Sequence, residues 1–327
     1  RDDAADAMRE ILTVAAGGCL TDVVDGAAVT TVEWSADGVA DHAVVTANTL
    51  PAHLHAVTPS QPFGFAVPDT LVGACWPSVF AVIGAAKTDD GIPVVEGLLD
   101  LVHLDHTIET FATIPDHDTE LTVVARAGDV RDTTVGRVID VAVEVSGPDG
   151  EIARMTERFA IRGRIGDAEL DDPQRAGGAI TDEASATRKP LRTATITAPT
   201  RMGAFAAVSG DRNPIHTDAC AAKLAGLGEP IVHGMWLSAA AQHVVTAADS
   251  RNRTPSPRPI VGWTARYLGM VRTGDAVSVR VDRVGLDRGR EVVEVTCKVG
   301  DTLVMSATGL LATPRTVYAF PGQGIQS

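Results

Sequence analysis

Cysteine and aromatic residues are scarce in this 327-residue chain, and each shortage excludes a class of structure. The four cysteines (Cys19, Cys75, Cys220 and Cys297) lie far apart and form no Cys-x-x-Cys pair. A disulfide framework or a structural zinc site is therefore not expected, and this usage fits a reducing compartment, the cytoplasm. Phe, Trp and Tyr make up only 4% of the sequence, so Val, Leu, Ile and Ala must fill the core.

The chain also lacks a long apolar run and an excess of basic charge. No apolar stretch approaches the roughly 20 residues that a membrane-spanning helix needs, and the acidic first residues do not form a signal peptide. The 28 basic residues face 42 acidic residues, giving a formal net charge of -14, and no basic stripe with interleaved aromatics is present. We therefore expect neither a membrane nor a nucleic acid as partner.

What the chain does have is two copies of one strand pattern. The segments LTVVARA, RVIDVAVEVSG and ARMTERFAIRG alternate with period two, as do AVSVRVDRV, EVVEVTCKV and LVMSATGLLA nearer the C-terminus. Both sets share order, spacing and turn placement, and GPDG marks a turn in the first set. This similarity predicts an internal duplication. TTVEW and HAVVTA, joined by SADG, are predicted to be two further strands.

Each half also contains one helix candidate that is apolar nearly all round. Residues 70–86 form the first, in which Pro77 is expected to cause a kink or to mark the first turn. Residues 234–247 form the second. Because such helices must be buried, we expect each half to wrap an antiparallel sheet around its own helix.

The stretch FAAVSGDRNPIHTDACAA, residues 205–222, carries the strongest chemical signal. It places Asp211 five positions before His216, and Gly210, Asn213 and Pro214 enforce a turn around them. A carboxyl and an imidazole on one short turn have the chemistry of a general acid and a general base. The structural alternative is a capped turn with no catalytic role, since SGD and NP are ordinary turn dipeptides.

The complete pattern F-x-x-V-S-G-D-x-N-P-I-H-x5-A resembles the signature of MaoC-like hydratases and dehydratases, and every fixed position is filled. The resemblance covers about residues 191–313 and extends weakly to the first half. It implies the α+β class, a double hot-dog fold, and water chemistry on 3-hydroxyacyl or 2-enoyl thioesters without cofactor or metal. Within it, His216 is the expected base for the C2 proton and Asp211 the expected acid, although the two roles are exchangeable.

Three further positions acquire a role from this resemblance. The amide of Gly234, at the head of the second apolar helix, is expected to donate to the thioester carbonyl, where a helix N-terminus favours the developing negative oxygen. Asn213 and His233 are expected at the substrate-binding site. Asn213 is expected chiefly to hold the loop, and a plain core histidine is the alternative for His233.

The remaining histidines of the first half are not predicted to bind a metal. Strand alternation is expected to place His103 and His106 on opposite faces, and no carboxylate spacing completes a site. The first apolar helix, with Cys75, Trp76 and Phe80, is predicted to belong to the core, or otherwise to line an acyl tunnel.

The last residues, YAFPGQGIQS, resemble the opening strand and turn of malonyl/acyl transferases. Directly after a MaoC-like segment, they point by resemblance to a bacterial, mycobacterial-type type I fatty acid synthase, with dehydratase before malonyl/palmitoyl transferase. The implied activity is dehydration of (3R)-hydroxyacyl-acyl carrier protein to trans-2-enoyl-acyl carrier protein. The implied partners are acyl carrier protein, the acyl thioester and other domains of a homo-oligomeric parent. The alternatives are a free-standing (R)-specific enoyl-CoA hydratase and a non-catalytic acyl-binding or scaffold module.

These observations divide the chain into five parts. We expect a lead-in helix or junction at 1–20, a non-catalytic hot-dog at 21–165, a linker at 166–190, a catalytic hot-dog at 191–313, and the start of an acyltransferase at 314–327. The missing initiator Met and the abrupt end are expected of a piece of a longer polypeptide.

Overall fold

The computed structural model describes residues 10–18, 20–62, 64–88, 90–95, 100–177, 188–251 and 257–313. Within them, eleven strands form one antiparallel sheet in the order β1-β2-β5-β6-β7-β4-β10-β13-β12-β11-β8, and β3 pairs with β9. The strand bounds are β1 Val23–Val24, β2 Ala27–Trp34, β3 Leu54–His55, β4 Leu101–Thr110, β5 Thr119–Thr133, β6 Gly136–Gly147, β7 Gly150–Ile161, β8 Lys189–Thr197, β9 Ala248–Asp249, β10 Ile260–Tyr267, β11 Ala276–Asp287, β12 Arg290–Val299 and β13 Thr302–Leu311.

The helices are few, and most of them lie against the sheet or against one another. Residues 10–15 are helical (α1). The other helices are α2 Ala36–Ala47, α3 Trp76–Ala85, α4 Gly203–Ser209, α5 Ala219–Leu224 and α6 Gly234–Thr246, with 3-10 turns at Pro68–Ala74 and Pro214–His216. No single helix of the described residues has the length and apolar composition of a membrane span, although Pro68–Ala74 and Trp76–Ala85, bent by 58°, meet that test together.

The strand order shows the duplication directly. The first half reads β2-β5-β6-β7-β4 and the second reads β8-β11-β12-β13-β10, so corresponding strands take corresponding places. The halves join where β4 and β10 pair antiparallel, with Ala265 opposite His106 and Trp263 opposite Ile108. Helix α3 packs on β2, β5 and β6, and α6 packs on β10 and β11. The predicted double hot-dog is therefore confirmed.

The period-two pattern of the strands explains why the sheet curls around these helices. In β6, Val141, Val143 and Val145 are at most 1% exposed and belong to the core, and the intervening residues are exposed. Burying one such side chain contributes roughly 1.5–3 kcal/mol. The strand pair β6–β7 turns at Gly147–Gly150, where the GPDG segment was predicted to turn.

One predicted strand is wrong. HAVVTA belongs to helix α2, and SADG is its N-terminus, because the Ser35 side chain accepts the Gly38 amide and caps the helix. The buried residues Val39, His42 and Thr46 recur every three or four positions, which is helical spacing. The first apolar helix is interrupted as expected, since Pro77 lies in the first turn of α3 after the 3-10 turn.

The predicted junction and linker pack on the two halves wherever they are described. Residue Leu12 of α1 is fully buried, and the Ala15 carbonyl accepts the Arg212 amide at 2.9 Å. In the predicted linker, the Ala176 amide donates to Thr264 Oγ1 at 2.9 Å. Residues 178–187 and the predicted acyltransferase start at 314–327 lie outside the described residues.

Candidate active site

The motif loop between α4 and α5 is built by side chains that cap their own backbone. Helix α4 ends at Gly210, whose φ of 73° is in the left-handed region that favours glycine. Asp211 Oδ1 accepts the Asn213 amide at 3.0 Å, and Asn213 Oδ1 accepts the Ile215 amide at 3.3 Å. This second contact caps the 3-10 turn that carries His216. Asn213 is buried, and its side chain caps this turn.

The contacts of His216 determine which ring nitrogen can act as a base. Its Nδ1 lies 2.9 Å from the Ile231 carbonyl oxygen. Because a carbonyl oxygen can only accept a hydrogen bond, Nδ1 carries the proton and Nε2 carries the free lone pair. Burial lowers the pKa of His216, and the nearby Asp211 carboxyl and the Ile231 carbonyl offset part of this effect. A half-buried neutral imidazole of this kind is ready to accept a proton.

His233 lies directly behind His216. Their ring centroids are 3.7 Å apart at an interplanar angle of 28°, and His233 Nε2 donates to the Asp211 carbonyl at 3.1 Å. Burial and then repulsion from His216 hold the pKa of His233 well below its usual value. His233 therefore ties the head of α6 to the motif loop while staying neutral. Its predicted contact with substrate stays a prediction.

Gly234 begins α6 beneath an aromatic ring. A Cβ at this position would stand 3.0 Å from Tyr267 Cε1, closer than carbon atoms normally approach. Glycine therefore allows Tyr267 to cover the helix N-terminus. The amides of Gly234 and Met235 precede the first backbone hydrogen bond there, from Trp236 to the His233 carbonyl. The amide end of α6 is thus available to an oxygen in the adjoining space.

A cavity of about 320 Å³ brings these groups together. Asp211, His216 and Gly234 all line it. The first half contributes much of its wall through Trp76, Phe80, Leu101, Val102, His103, Leu104, Phe159 and Arg162. Helix α3 therefore belongs to the core and also lines this cavity, while its part in an acyl tunnel stays a prediction.

The site also brings together three groups of the kind that bind metals. One ligand atom each from Asp211, His216 and His233 lies within 4.8 Å of the others. Imidazole lone pairs lie in the ring plane, however, and the stacked rings of His216 and His233 hold their planes nearly parallel. Two such lone pairs do not converge on one ion with ordinary coordination geometry. The arrangement favours proton transfer over metal binding.

Two residues of this site were not predicted from the sequence. Tyr267 ends a strand that was predicted, but nothing in the pattern indicates that its ring reaches Gly234. His103 was expected on the face opposite His106, which is wrong. A bulge between His103 and Asp105 shifts the register of β4, so both imidazoles contact Glu157 on β7. A bulge of this kind cannot be recognised from the alternation of residues in a short segment.

Comparison with known proteins places this loop in a family context. The family profile described as MaoC like domain matches residues 179–305. The chain is 38% identical over 137 residues to the fatty acid synthase subunit beta of Gibberella zeae, a match that covers 40% of this chain and 6% of that protein. It is 32% identical over 120 residues to a 3-hydroxybutyryl-CoA dehydratase of Methylorubrum extorquens, covering 36% of this chain and 73% of that protein.

The fold extends the similarity beyond the matched half. A MaoC-like dehydratase from Phytophthora capsici superposes with a TM-score of 0.61 at 16% identity, covering 88% of this chain and 95% of that one. The two proteins therefore share the duplicated architecture. The family profile, by contrast, matches residues 179–305, which include Asp211 and His216.

Proposed function

Because the chain belongs to the family of MaoC-like dehydratases, we propose that it removes water from (3R)-hydroxyacyl thioesters and forms trans-2-enoyl thioesters. The observation that carries this proposal is the shared cavity of Asp211, His216 and Gly234. An acid, a base and a helix N-terminus are the three groups that elimination next to a carbonyl requires.

His216 takes the proton from C2 of the substrate. Its Nε2 is the unprotonated nitrogen, because Nδ1 donates to the Ile231 carbonyl. The lowered pKa keeps the ring neutral at physiological pH, so the base is present before substrate binds. Stacking on His233 fixes the plane of the ring, which reduces the entropy lost in reaching the reactive geometry.

Asp211 gives a proton to the hydroxyl at C3. The C2–H and C3–O bonds break, the C2=C3 double bond forms, and the hydroxyl leaves as water. His216 gains the C2 proton and Asp211 loses its carboxyl proton, so the number of protons on the protein is unchanged. The same loop carries both groups, so both act on one face of the substrate, as syn elimination requires.

The amide of Gly234 stabilises the thioester carbonyl oxygen as negative charge develops there. One such donor typically contributes about 2.7–4 kcal/mol to transition-state stabilisation. The N-terminus of α6 adds the partial positive charge of the helix dipole at the same point. No step of this scheme requires a cofactor.

We further propose that the substrate is carried on acyl carrier protein within a type I fatty acid synthase of the bacterial, mycobacterial type. The match to the fungal synthase subunit and the transferase-like residues YAFPGQGIQS support this context. The chain spans only 6% of that subunit, so its partners, homo-oligomeric state and cytoplasmic location are part of the proposal.

The similarity to a 3-hydroxybutyryl-CoA dehydratase favours a second candidate, a hydratase or dehydratase that acts on free CoA thioesters. The two candidates differ in the carrier, so the test compares 3-hydroxybutyryl-acyl carrier protein with 3-hydroxybutyryl-CoA. We expect a higher kcat/KM with the carrier-bound substrate. A preference for CoA would select the second candidate, and binding without turnover of either substrate would select a non-catalytic acyl-binding module.

A further inference from the structure

A chain of four ionisable side chains runs from the interior to the cavity wall, outside the motif loop. Asp69 Oδ1 lies 3.1 Å from His106 Nε2, and His106 Nδ1 lies 2.7 Å from Glu157 Oε1. Glu157 Oε2 lies 2.8 Å from His103 Nε2. The side chains of Asp69, His106 and Glu157 are at most 1% exposed, whereas His103 is 14% exposed and lines the cavity.

The contacts of His106 define the charge at the centre of this chain. Both nitrogens of His106 face carboxyl groups, so both donate and the ring is a cation. Burial alone would lower the pKa of His106, but Glu157 and Asp69 raise it to about 10. Burial likewise opposes the charge of Glu157, yet His106 and His103 hold the pKa of this carboxyl at about 2. Glu157 therefore holds both imidazoles through a buried carboxylate.

Helix α6 fixes the far end of this chain. Gln242 Nε2 donates to Asp69 Oδ1, and Gln242 Oε1 accepts the Asp69 amide at 3.2 Å. Both residues are buried, at 0% and 3% exposure. The helix that presents Gly234 to the cavity therefore also anchors the ionic chain that ends at His103.

Two aromatic rings locate His103 relative to the reaction space. Trp76 Cδ1 lies 3.7 Å from the point that a Cβ of Gly210 would occupy, and the Trp76 ring meets His103 edge-on at 6.1 Å. Tyr267 covers Gly234, and the centroids of the Tyr267 and His103 rings are 5.1 Å apart. The Trp76 ring therefore lies between His103 and the motif loop, and the Tyr267 ring lies between His103 and the N-terminus of α6.

We propose that His103 is a further substrate-binding residue, which makes a hydrogen bond with the 3-hydroxyl group of the acyl thioester. Asp69, His106 and Glu157 are positioning residues that hold its ring. His103 Nε2 faces Glu157, so Nδ1 is the ring nitrogen that makes this contact. The other acyl oxygen, the thioester carbonyl, is already assigned to Gly234. This inference rests on the proposed function and assigns the first half a direct part in it.

The apolar neighbours of His103 leave few other roles for a polar ring. Phe159 stacks on it with centroids 4.6 Å apart, and Phe80 and Leu101 line the same wall. Apart from the thioester carbonyl, the 3-hydroxyl is the polar group that the acyl chain can offer this wall. Trp76 also lines the cavity, and its indole N–H is buried without a hydrogen-bond partner among the described residues.

The test measures binding in a protein whose turnover is blocked. In an Asp211→Asn background, calorimetry gives Kd for (3R)-hydroxybutyryl-CoA and for butyryl-CoA, which differ only in the hydroxyl. Adding His103→Leu should reduce the preference for the hydroxylated ligand up to about tenfold, since one hydrogen bond is lost. His103→Gln keeps a donor and should keep part of the preference. The matched control is Phe80→Leu, which alters the same wall and should weaken both ligands alike.

An unchanged preference in folded His103→Leu protein would overturn the assignment. Should that variant fail to fold, Glu157→Gln preserves the shape of the carboxyl and removes its charge, and the same loss of preference is expected. An unchanged preference in Glu157→Gln would overturn it equally. This binding test can be distinguished from a test of the proposed function. Absence of turnover in the unaltered protein would remove the dehydratase assignment, but the Kd values of the two ligands could still be compared.

Discussion

Replacing Gly234 by Ala tests how closely the helix N-terminus must approach the substrate. The added Cβ would stand 3.0, 3.1 and 3.2 Å from three carbons of the Tyr267 ring, whereas carbon atoms in contact are normally about 3.5–4.0 Å apart. Either the ring or the start of α6 must therefore move by roughly half an ångström. The Tyr267 hydroxyl donates to Met235 Sδ at 3.0 Å, and this hydrogen bond restrains the ring from moving.

The expected cost to stability is small and the expected cost to turnover is moderate. Inserting one methyl group into a packed contact costs about 1–3 kcal/mol, a loss that the better helix propensity of Ala partly offsets. A displacement of about 1 Å at a reacting centre lowers the rate about 100-fold, so half of that displacement should lower it roughly tenfold. We therefore expect Gly234→Ala to lower kcat/KM for 3-hydroxybutyryl thioesters roughly tenfold while Tm falls by only a few degrees.

The control for this variant removes the obstacle. Tyr267→Leu creates room above position 234, so the double variant should lose less activity than the product of the two single losses. Enoyl formation is followed by absorbance and Tm by calorimetry. Full activity of Gly234→Ala, with Tm unchanged, would refute the claim that a close approach at this amide matters for the reaction.

Two further predictions concern stability and the loop. His42 and His243 are buried, and burial lowers the pKa of His42 to about 4 and that of His243 to about 3. The unfolded chain binds these protons below about pH 6.5. The free energy of unfolding should therefore fall as pH falls from about 6.5 towards 4, by about 3 kcal/mol for His42 alone. In denaturant titrations His42→Gln should flatten this dependence, and an unchanged pH dependence would contradict the argument. Asn213→Ala removes the cap of the 3-10 turn, so it should cost about 1 kcal/mol and lower kcat. Asn213→Asp keeps the oxygen that caps the turn, so it should retain both the stability and the kcat of the unaltered protein. Equal losses of stability and kcat in the two variants would show that Asn213 does more than cap the turn.

How far the sequence predicts this protein depends on whether a feature is local. The motif loop was predictable because Gly210, Asp211 and Asn213 determine their own turn through contacts within four residues. The sheet was predictable because valine alternation in each strand requires a buried face. The duplication followed from two similar strand patterns, and the strand order bears it out.

Features that depend on distant parts of the chain were not predictable. HAVVTA carries apolar residues that suit a strand or a helix, and the cap from Ser35 together with packing on α4 and α6 decides for the helix. The bulge in β4 exists only in its pairing with β7, so the contact of His103 with Glu157 could not be inferred. The aromatic cover on Gly234 likewise depends on β10 meeting α6 in three dimensions.

The central claim is that Asp211 and His216 together remove water from the bound thioester. Its most direct test is the single-turnover rate of 3-hydroxybutyryl-acyl carrier protein with Asp211→Asn and with His216→Ala. Circular dichroism and calorimetry would check that both variants keep the fold. Each variant should slow enoyl formation about 100- to 10,000-fold, the range that general acid–base groups contribute, while still binding substrate. A well-folded variant of either kind that turns over at the unaltered rate would contradict the claim.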